Sequence, residues 1–354
     1  MSVLDLARAE VRALQAYSSA RMESGAAGLM LNANESPWRL DSDTLGLNRY
    51  PDPQPRELCA RLAELYSASR DQVLVGRGSD EAIDLLVRAF CRPGRDAIAI
   101  CPPTFGMYAV CAGVQGAAVQ SLPFGKQFSL DVPAMLSALS PAVKLLFVCS
   151  PNNPTGGLVP MADFQRLARR LAGQTLVVVD EAYIEFADGD SAAKLLDAHS
   201  NLAVLRTLSK AWALAGARVG TLLAHAEVIA LLRRIMPPYP LPLPSVAAAM
   251  AALDGEGERR MQERVRKIVF ERERLSRELA RLPGVRTVYP SQANFVTVLL
   301  DDAATTWQAL AAQSIVVRDV SHYPGMANCL RITVGTPEEN SRLLEAMSRL
   351  AEVA

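Results

Sequence analysis

TLVVVDEAYIEF, residues 175–186, sets four apolar residues in a row and then stops on a carboxylate. A short apolar run without alternation suits a strand covered on both faces. Five more such runs occur: DQVLVG (71–76), DAIAI (96–100), AVKLLFVC (142–149), LAVLRT (202–207) and VGTLLA (219–224). Helix-like segments stand between several of them. EAIDLLVRAF follows Gly78-Ser79-Asp80, and MADFQRLARRLA follows Pro160. Buried strands alternating with helices predict an α/β fold with a mostly parallel, doubly wound sheet. Such sheets bind ligands beyond the carboxyl ends of their strands. The segments to inspect are therefore Gly76 to Asp80, Ser150 to Gly157, Asp180 to Tyr183 and Thr207 to Lys210.

A proline-rich break, MPPYPLPLPS (236–245), ends this region. A long charged helix is expected next, with Met261, Val265, Ile268, Leu275, Leu279 and Leu282 as its apolar stripe and its charge run as a solvated face. ANFVTVLL, SIVVRDV and CLRITVG then read as strands, before a last helix over 337–352. This is a smaller α/β unit. A chain of 354 residues also exceeds one ordinary compact core, which agrees with two units.

Lys plus Arg balances Asp plus Glu at 37 each, so nothing marks the chain for nucleic acid or an anionic membrane. The six cysteines are scattered and read as buried, reduced thiols. The three histidines have no metal-ligand spacing, so no metal site is expected. Charges interrupt the opening MSVLDLARAEVRAL, which argues against a secretory signal, and no run is long enough to span a bilayer. The expected location is the cytoplasm.

The chemistry gathers after the strands. Asp180 ends a buried run, where a carboxylate needs a cation or strong donors. SPNNPTGG (150–157) forms a turn whose asparagines can donate and accept. GRGSDEAI (76–83) leads from a strand into a helix start, where free amides can hold a phosphate; alone, it is also a plain N-cap. RTLSKAWALAGARVG (206–220) adds the Ser209 hydroxyl, the Lys210 amine and the Arg218 guanidinium. A phosphate, a ring nitrogen needing an anion, a ring oxygen needing donors and an aldehyde needing an amine describe pyridoxal 5′-phosphate. Lys210 sits among apolar residues, where desolvation and the Arg218 charge are expected to lower its pKa.

These segments resemble the fold-type I aminotransferases, and more narrowly the histidinol-phosphate aminotransferase family. The narrow resemblance rests on LQAYSSAR (14–21), LNANESPW (31–38), RYPDP (49–53), GRGSDEAI, PPTFGMY (102–108), SPNNPTG, VVVDEAYIEF, RTLSKAWALAGARVG, PPYPLPLPS, SQANFV (291–296) and LRITVGT (330–336). It implies a large cofactor-binding domain over 41–245, a small domain over 246–354, and an arm over 1–40 packing with the small domain. It implies that Lys210 forms the Schiff base and then moves the proton between the substrate Cα and the cofactor. Asp180 would hold the ring nitrogen, Asn153 and Tyr183 the ring oxygen, and Tyr108 would stack on the ring. Gly78, Ser79, Asp80, Thr207, Ser209 and Arg218 would lie at the phosphate. Tyr50 would reach the phosphate of a neighbouring subunit, which implies a homodimer. Arg331, Arg318, Tyr17 and Asn34 would bind substrate. The implied substrates are histidinol phosphate and glutamate or 2-oxoglutarate.

Three residues depart from the family pattern: Phe105, Trp212 and Ser36. Phe105 and Trp212 could line or support the pocket or be packing changes, and the second reading is favoured. Two enzymes of the same fold remain open, an aromatic amino acid aminotransferase and a threonine-phosphate decarboxylase, although LNANESP and LQAYSSAR favour the histidinol-phosphate group. A non-catalytic regulator on this fold is disfavoured by the short arm and balanced charge.

Overall fold

The computed structural model describes residues 2–15, 17, 29–122 and 124–353, without the side chains of Lys126 and residues 351–353. Much of LQAYSSAR therefore lies outside the described residues. Seven strands form the larger sheet: β1 (Val73–Gly76), β2 (Ala97–Ile100), β3 (Ala118–Ser121), β4 (Val143–Cys149), β5 (Leu176–Asp180), β6 (Leu202–Thr207) and β7 (Gly220–Ala224). Their order is β1-β7-β6-β5-β4-β2-β3. All neighbours are parallel except β7, which runs against both β1 and β6.

The lack of alternation has the expected cause. In β5, Val177 and Val179 join one hydrophobic cluster with Leu58 and Leu62 of the helix Arg56–Leu65 and Phe164 and Leu167 of Met161–Arg170. Leu176 and Val178 join the cluster on the other face, with Ile83 and Leu86 of Ser79–Phe90 and Ala112 of Met107–Gln115. Each side chain is covered whichever way it points, so apolar residues are favoured at every position. β3 escaped the sequence reading because AVQS lies at the sheet edge and is largely exposed.

The smaller sheet contains β8 (Val285–Tyr289), β9 (Phe295–Leu300), β10 (Arg318–Asp319) and β11 (Cys329–Thr333), in the antiparallel order β10-β11-β9-β8. Leu275 and Leu279 of the long helix Gly255–Leu279 pack there with Leu343 and Met347 of Pro337–Val353. The charge run of the long helix is not wholly solvated. Glu271 and Arg272 are buried. Arg272 Nη1 donates to the carbonyls of Phe186 at 3.1 Å and Ala293 at 3.0 Å. Those bonds tie the helix to the segment after β5 and the one before β9.

The start of the arm also differs from the expectation. Val3, Leu6, Ala7 and Val11 recur every three or four residues and bury one face against the larger sheet's helices. The Arg8 amide donates to the Ala89 carbonyl at 3.0 Å. This part of the arm docks on the large unit, not on the small one.

Candidate active site

The carboxyl ends of β1, β4, β5 and β6 converge on a cavity of about 150 Å³. Because β7 is reversed, its first residue lies at this same rim, and the β6–β7 connection brings both Lys210 and Arg218 to the cavity.

Close packing shapes one end. Gly78 has φ 82° and precedes the helix Ser79–Phe90. A Cβ there would meet Arg218 Nη2 at 2.5 Å. Gly220 of β7 presses on the same turn: its Cβ would fall 2.2 Å from the Gly78 carbonyl carbon and 2.3 Å from the Ser79 nitrogen. Arg218 itself adopts φ 54°, in the left-handed region that costs a side-chain-bearing residue energy. Its Nη2 pairs with Asp80 Oδ2 at 3.0 Å, and its Nη1 donates to Ser209 Oγ at 3.3 Å. Thr207 Oγ1 donates to Ser209 Oγ at 3.0 Å. Two hydroxyls, a guanidinium and the start of a helix thus face one region, which suits a phosphate.

At the other end stands Asp180, the last residue of β5 and 2% exposed. Its Oδ2 accepts from the Tyr108 hydroxyl at 2.7 Å and its Oδ1 from the Ala182 amide at 3.1 Å. Both donors are neutral, and among the described residues no ion pair is formed. Burial pushes its pKa up to about 6, although the Tyr108 and Ala182 hydrogen bonds pull the other way. A buried carboxylate without a cation fits a cationic ring nitrogen.

Lys210 opens onto the cavity with its Nζ 5.7 Å from the centre of the Tyr183 ring. Enough protein surrounds the amine for desolvation to lower its pKa. The Arg331 charge is the next cause, ahead of Arg218. The sequence identified the direction but not the leading neighbour. Tyr183 is fixed edge-on against Phe295, with ring centres 5.3 Å apart. Behind it, Arg206 of β6 bonds Glu185 at 2.8 Å and Glu181 at 3.4 Å, fastening the segment after β5 to the strand before Lys210.

Asn153 lines the cavity, and its Oδ1 accepts from Arg331 Nη1. The turn that carries it is docked on the smaller sheet: Thr297 Oγ1 donates to the Pro154 carbonyl, and the Gln292 amide donates to the Gly156 carbonyl at 2.8 Å. Arg331 of β11 stands opposite Arg318 of β10. The two arginines border a second hollow of about 340 Å³ with Trp307 and Thr333.

Gly78, Ser79, Asp80, Asn153, Asp180, Tyr183, Thr207, Ser209, Lys210 and Arg218 are therefore brought together. Three other expected residues stand apart from the cavity. Tyr17 is 70% exposed, Asn34 is exposed with φ 55°, and Tyr50 stacks on Tyr239 with ring centres 4.4 Å apart. Arg49 pairs with Glu35 at 2.8 Å, so RYPDP and LNANESPW do meet each other.

Tyr108 corrects the expectation that it stacks on a cofactor ring. It is wholly buried, lies flat on Phe147 at 4.7 Å between ring centres, and reaches the cavity only through Asp180. Phe105 lines the cavity instead, so of its two readings the pocket one holds and the favoured packing one does not. Phe105 follows the end of β2, so the strand-end rule could have found it. Trp212 is buried in the core, in line with a packing role. Cys149, also missed, lines the cavity beside Asp180, its register partner.

The profile of the family Aminotransferase class I and II matches residues 30–347. A histidinol-phosphate aminotransferase of Xanthomonas axonopodis pv. citri is 50% identical, over 100% of this chain and 99% of the relative. One from Stenotrophomonas maltophilia is 50% identical over 98% of this chain and 96% of the relative. Among solved structures, the histidinol-phosphate aminotransferase from Sinorhizobium meliloti in complex with pyridoxal-5′-phosphate aligns with a TM-score of 0.78 at 26% identity, covering 86% of this chain and 83% of that one. The chain belongs to the class I and II aminotransferases and, within them, to the histidinol-phosphate aminotransferase family.

Proposed function

We propose that this chain is a pyridoxal-phosphate transaminase interconverting L-histidinol phosphate and 2-oxoglutarate with imidazole-acetol phosphate and L-glutamate, in histidine biosynthesis. The observation that carries this reading is the placement of the Lys210 amine and the unpaired Asp180 carboxylate in one cavity, with the Ser79–Arg218 cluster at its end. Ser79, Thr207, Ser209, Arg218 and the backbone amide of Asp80 at the helix start would hold the phosphate. Asp180 would hold the ring nitrogen, Asn153 and Tyr183 the ring oxygen, Phe105 the ring face, and Lys210 the aldehyde carbon. When bound, the cofactor supplies an electron sink for the negative charge left on the substrate Cα.

Lys210 supplies the base. Its lowered pKa leaves more of the amine neutral and able to take the Cα proton, which it would then pass to the carbon of the cofactor's former aldehyde. Arg331, with Arg318 across the ladder, would bind the substrate's anionic group by its two-pronged guanidinium. The buried Asp180 and the packed Tyr183 would fix the cofactor's orientation, so that both carbons between which the proton moves lie within reach of Lys210.

The same reading divides the chain at residues 40 and 245 and places it in the cytoplasm as a homodimer, with Tyr50 reaching the neighbouring subunit's site and Tyr17 and Asn34 closing over the substrate. The exposure of Trp38 at 81%, together with Leu29, Leu31 and Leu40, supports such an interface. All six cysteines are free and buried, as a reducing compartment allows. No helix among the described residues is long and apolar enough to cross a membrane.

The test is a half-reaction without keto acid. Cofactor-loaded protein receives histidinol phosphate in one sample and phenylalanine in another. Conversion of the cofactor's absorbance from the aldehyde to the amine form with histidinol phosphate alone supports the assignment. Equal or faster conversion with phenylalanine makes it an aromatic aminotransferase, and no conversion with either overturns the transaminase reading.

A further inference from the structure

Tyr108 is the one expected site residue that the structure moves behind the cavity, and its new place suggests a different task. It rises from the first turn of Met107–Gln115, wholly buried, with its ring stacked at 10° on Phe147 of β4. That stack fixes the ring plane, and the hydroxyl then has little freedom. It points across β4 to the end of β5 and donates to Asp180 Oδ2 at 2.7 Å.

We propose that Tyr108 is a positioning residue which, through this hydrogen bond, fixes the Asp180 carboxylate and keeps it ionised toward the cofactor's ring nitrogen. The inference rests on the reading of Asp180 given under Proposed function. A neutral Asp180 could not hold a protonated ring nitrogen, because two acids would then face each other without an anion.

The groups around Asp180 come from every packed element. Tyr108 approaches from its helix and the Cys149 thiol from the neighbouring strand. Lys210 and Asp80 approach from the rim, and Tyr183 from the segment that follows. Of these, only the Tyr108 hydroxyl donates to the carboxylate. The Lys210 charge also favours the anion, while Asp80 disfavours it and Cys149 is a neutral thiol whose pKa burial pushes up. Burial opposes ionisation most strongly, and the Tyr108 hydrogen bond is the largest effect in its favour. A hydrogen bond to a charged group corresponds to about one pH unit or somewhat more in the acceptor's titration.

Tyr108→Phe removes only the hydroxyl and retains the ring on Phe147. The experiment measures binding of pyridoxal 5′-phosphate to cofactor-free protein, as a function of pH, for wild type, Tyr108→Phe and Asp180→Asn. The same series uses the 1-deaza cofactor, which has carbon in place of the ring nitrogen. Wild type should lose affinity for pyridoxal phosphate as pH falls through the Asp180 titration, and Tyr108→Phe should lose it about one pH unit higher. With the deaza cofactor the two proteins should behave alike.

Equal loss with both cofactors means that Tyr108 is merely structural and overturns the proposal. An Asp180→Asn defect specific to the natural cofactor, with Tyr108→Phe unchanged from wild type, also overturns it while sparing the role of Asp180. If no protein, Asp180→Asn included, distinguishes the two cofactors, the reading of Asp180 itself fails. Should Tyr108→Phe not fold, 3-fluorotyrosine at position 108 provides a stronger donor of nearly equal size. The limb should then move to lower pH, and an unmoved limb overturns the proposal.

Discussion

The guanidinium of Arg331 donates to the amide oxygen of Asn153, so a strand of the smaller sheet is bonded to the turn that follows β4 of the larger one. The same arginine depresses the pKa of Lys210, second only to burial. An arriving anion would have to share this guanidinium with Asn153. Substrate binding and the reactivity of Lys210 are thereby linked through one side chain.

Arg331→Lys keeps the charge but loses the two-pronged geometry. The KM for the anionic substrate should rise about 10- to 100-fold, as expected for loss of a charge-assisted hydrogen bond, with a smaller change in kcat. Steady-state kinetics on histidinol phosphate check this.

Arg331→Gln removes the charge and should raise the Lys210 pKa. At any pH below that pKa, less amine is neutral. Labelling of cofactor-free protein by an amine-reactive sulfonate, followed at Lys210 by mass spectrometry, should be slower than in wild type. In wild type, Lys210 should label at a lower pH than ordinary lysines because its pKa is depressed.

Lys210→Ala should lower turnover by at least about 10²–10⁴-fold, the range of a lost acid–base group. Borohydride reduction should fix the cofactor to wild-type protein but not to this variant. A covalently labelled Lys210→Ala protein would contradict the assignment.

Gly220→Ala places a methyl 2.2 Å from the Gly78 carbonyl carbon, where both neighbours are backbone. Such overpacking should cost about 1–3 kcal/mol of stability. Urea unfolding measures the loss, and weakened phosphate inhibition would show that the Gly78–Ser79 turn has shifted.

Mixing inactive Lys210→Ala with inactive Tyr50→Ala should restore part of the activity. A hybrid pair would contain one site with both residues intact. Failure of the mixture, with exchange of subunits demonstrated by mass spectrometry, would count against Tyr50 acting across an interface.

The larger sheet was legible because both faces of β5 and its neighbours are covered, leaving unbroken apolar runs in the sequence. β3 was not, because an exposed edge strand needs no such run. Lys210, Asp180 and Arg218 were legible because charged groups stand where apolar strands end or begin at the rim. Tyr108 and Phe105 were confused because PPTFGMY holds two aromatics, and only packing on Phe147 decides which faces inward. The burial of Arg272 was equally hidden, since its carbonyl partners Phe186 and Ala293 are remote in sequence. A charge run gives no sign of which member is enclosed.

The reversal of β7 also sets the order in which a growing chain can complete its pocket. β1 is an edge strand whose neighbour is β7 alone. Although made early, it has no strand partner until β7 has been synthesised. Lys210 and Arg218 belong to one local connection, but Arg218 and Asp80 meet across 138 residues. Remote contacts of this kind form slowly, because loop closure must precede them. The Asp80–Arg218 side of the phosphate cradle can thus close only once the whole β6–β7 connection has been made. A ligand held by that cradle would bind finished molecules alone and draw the population toward them.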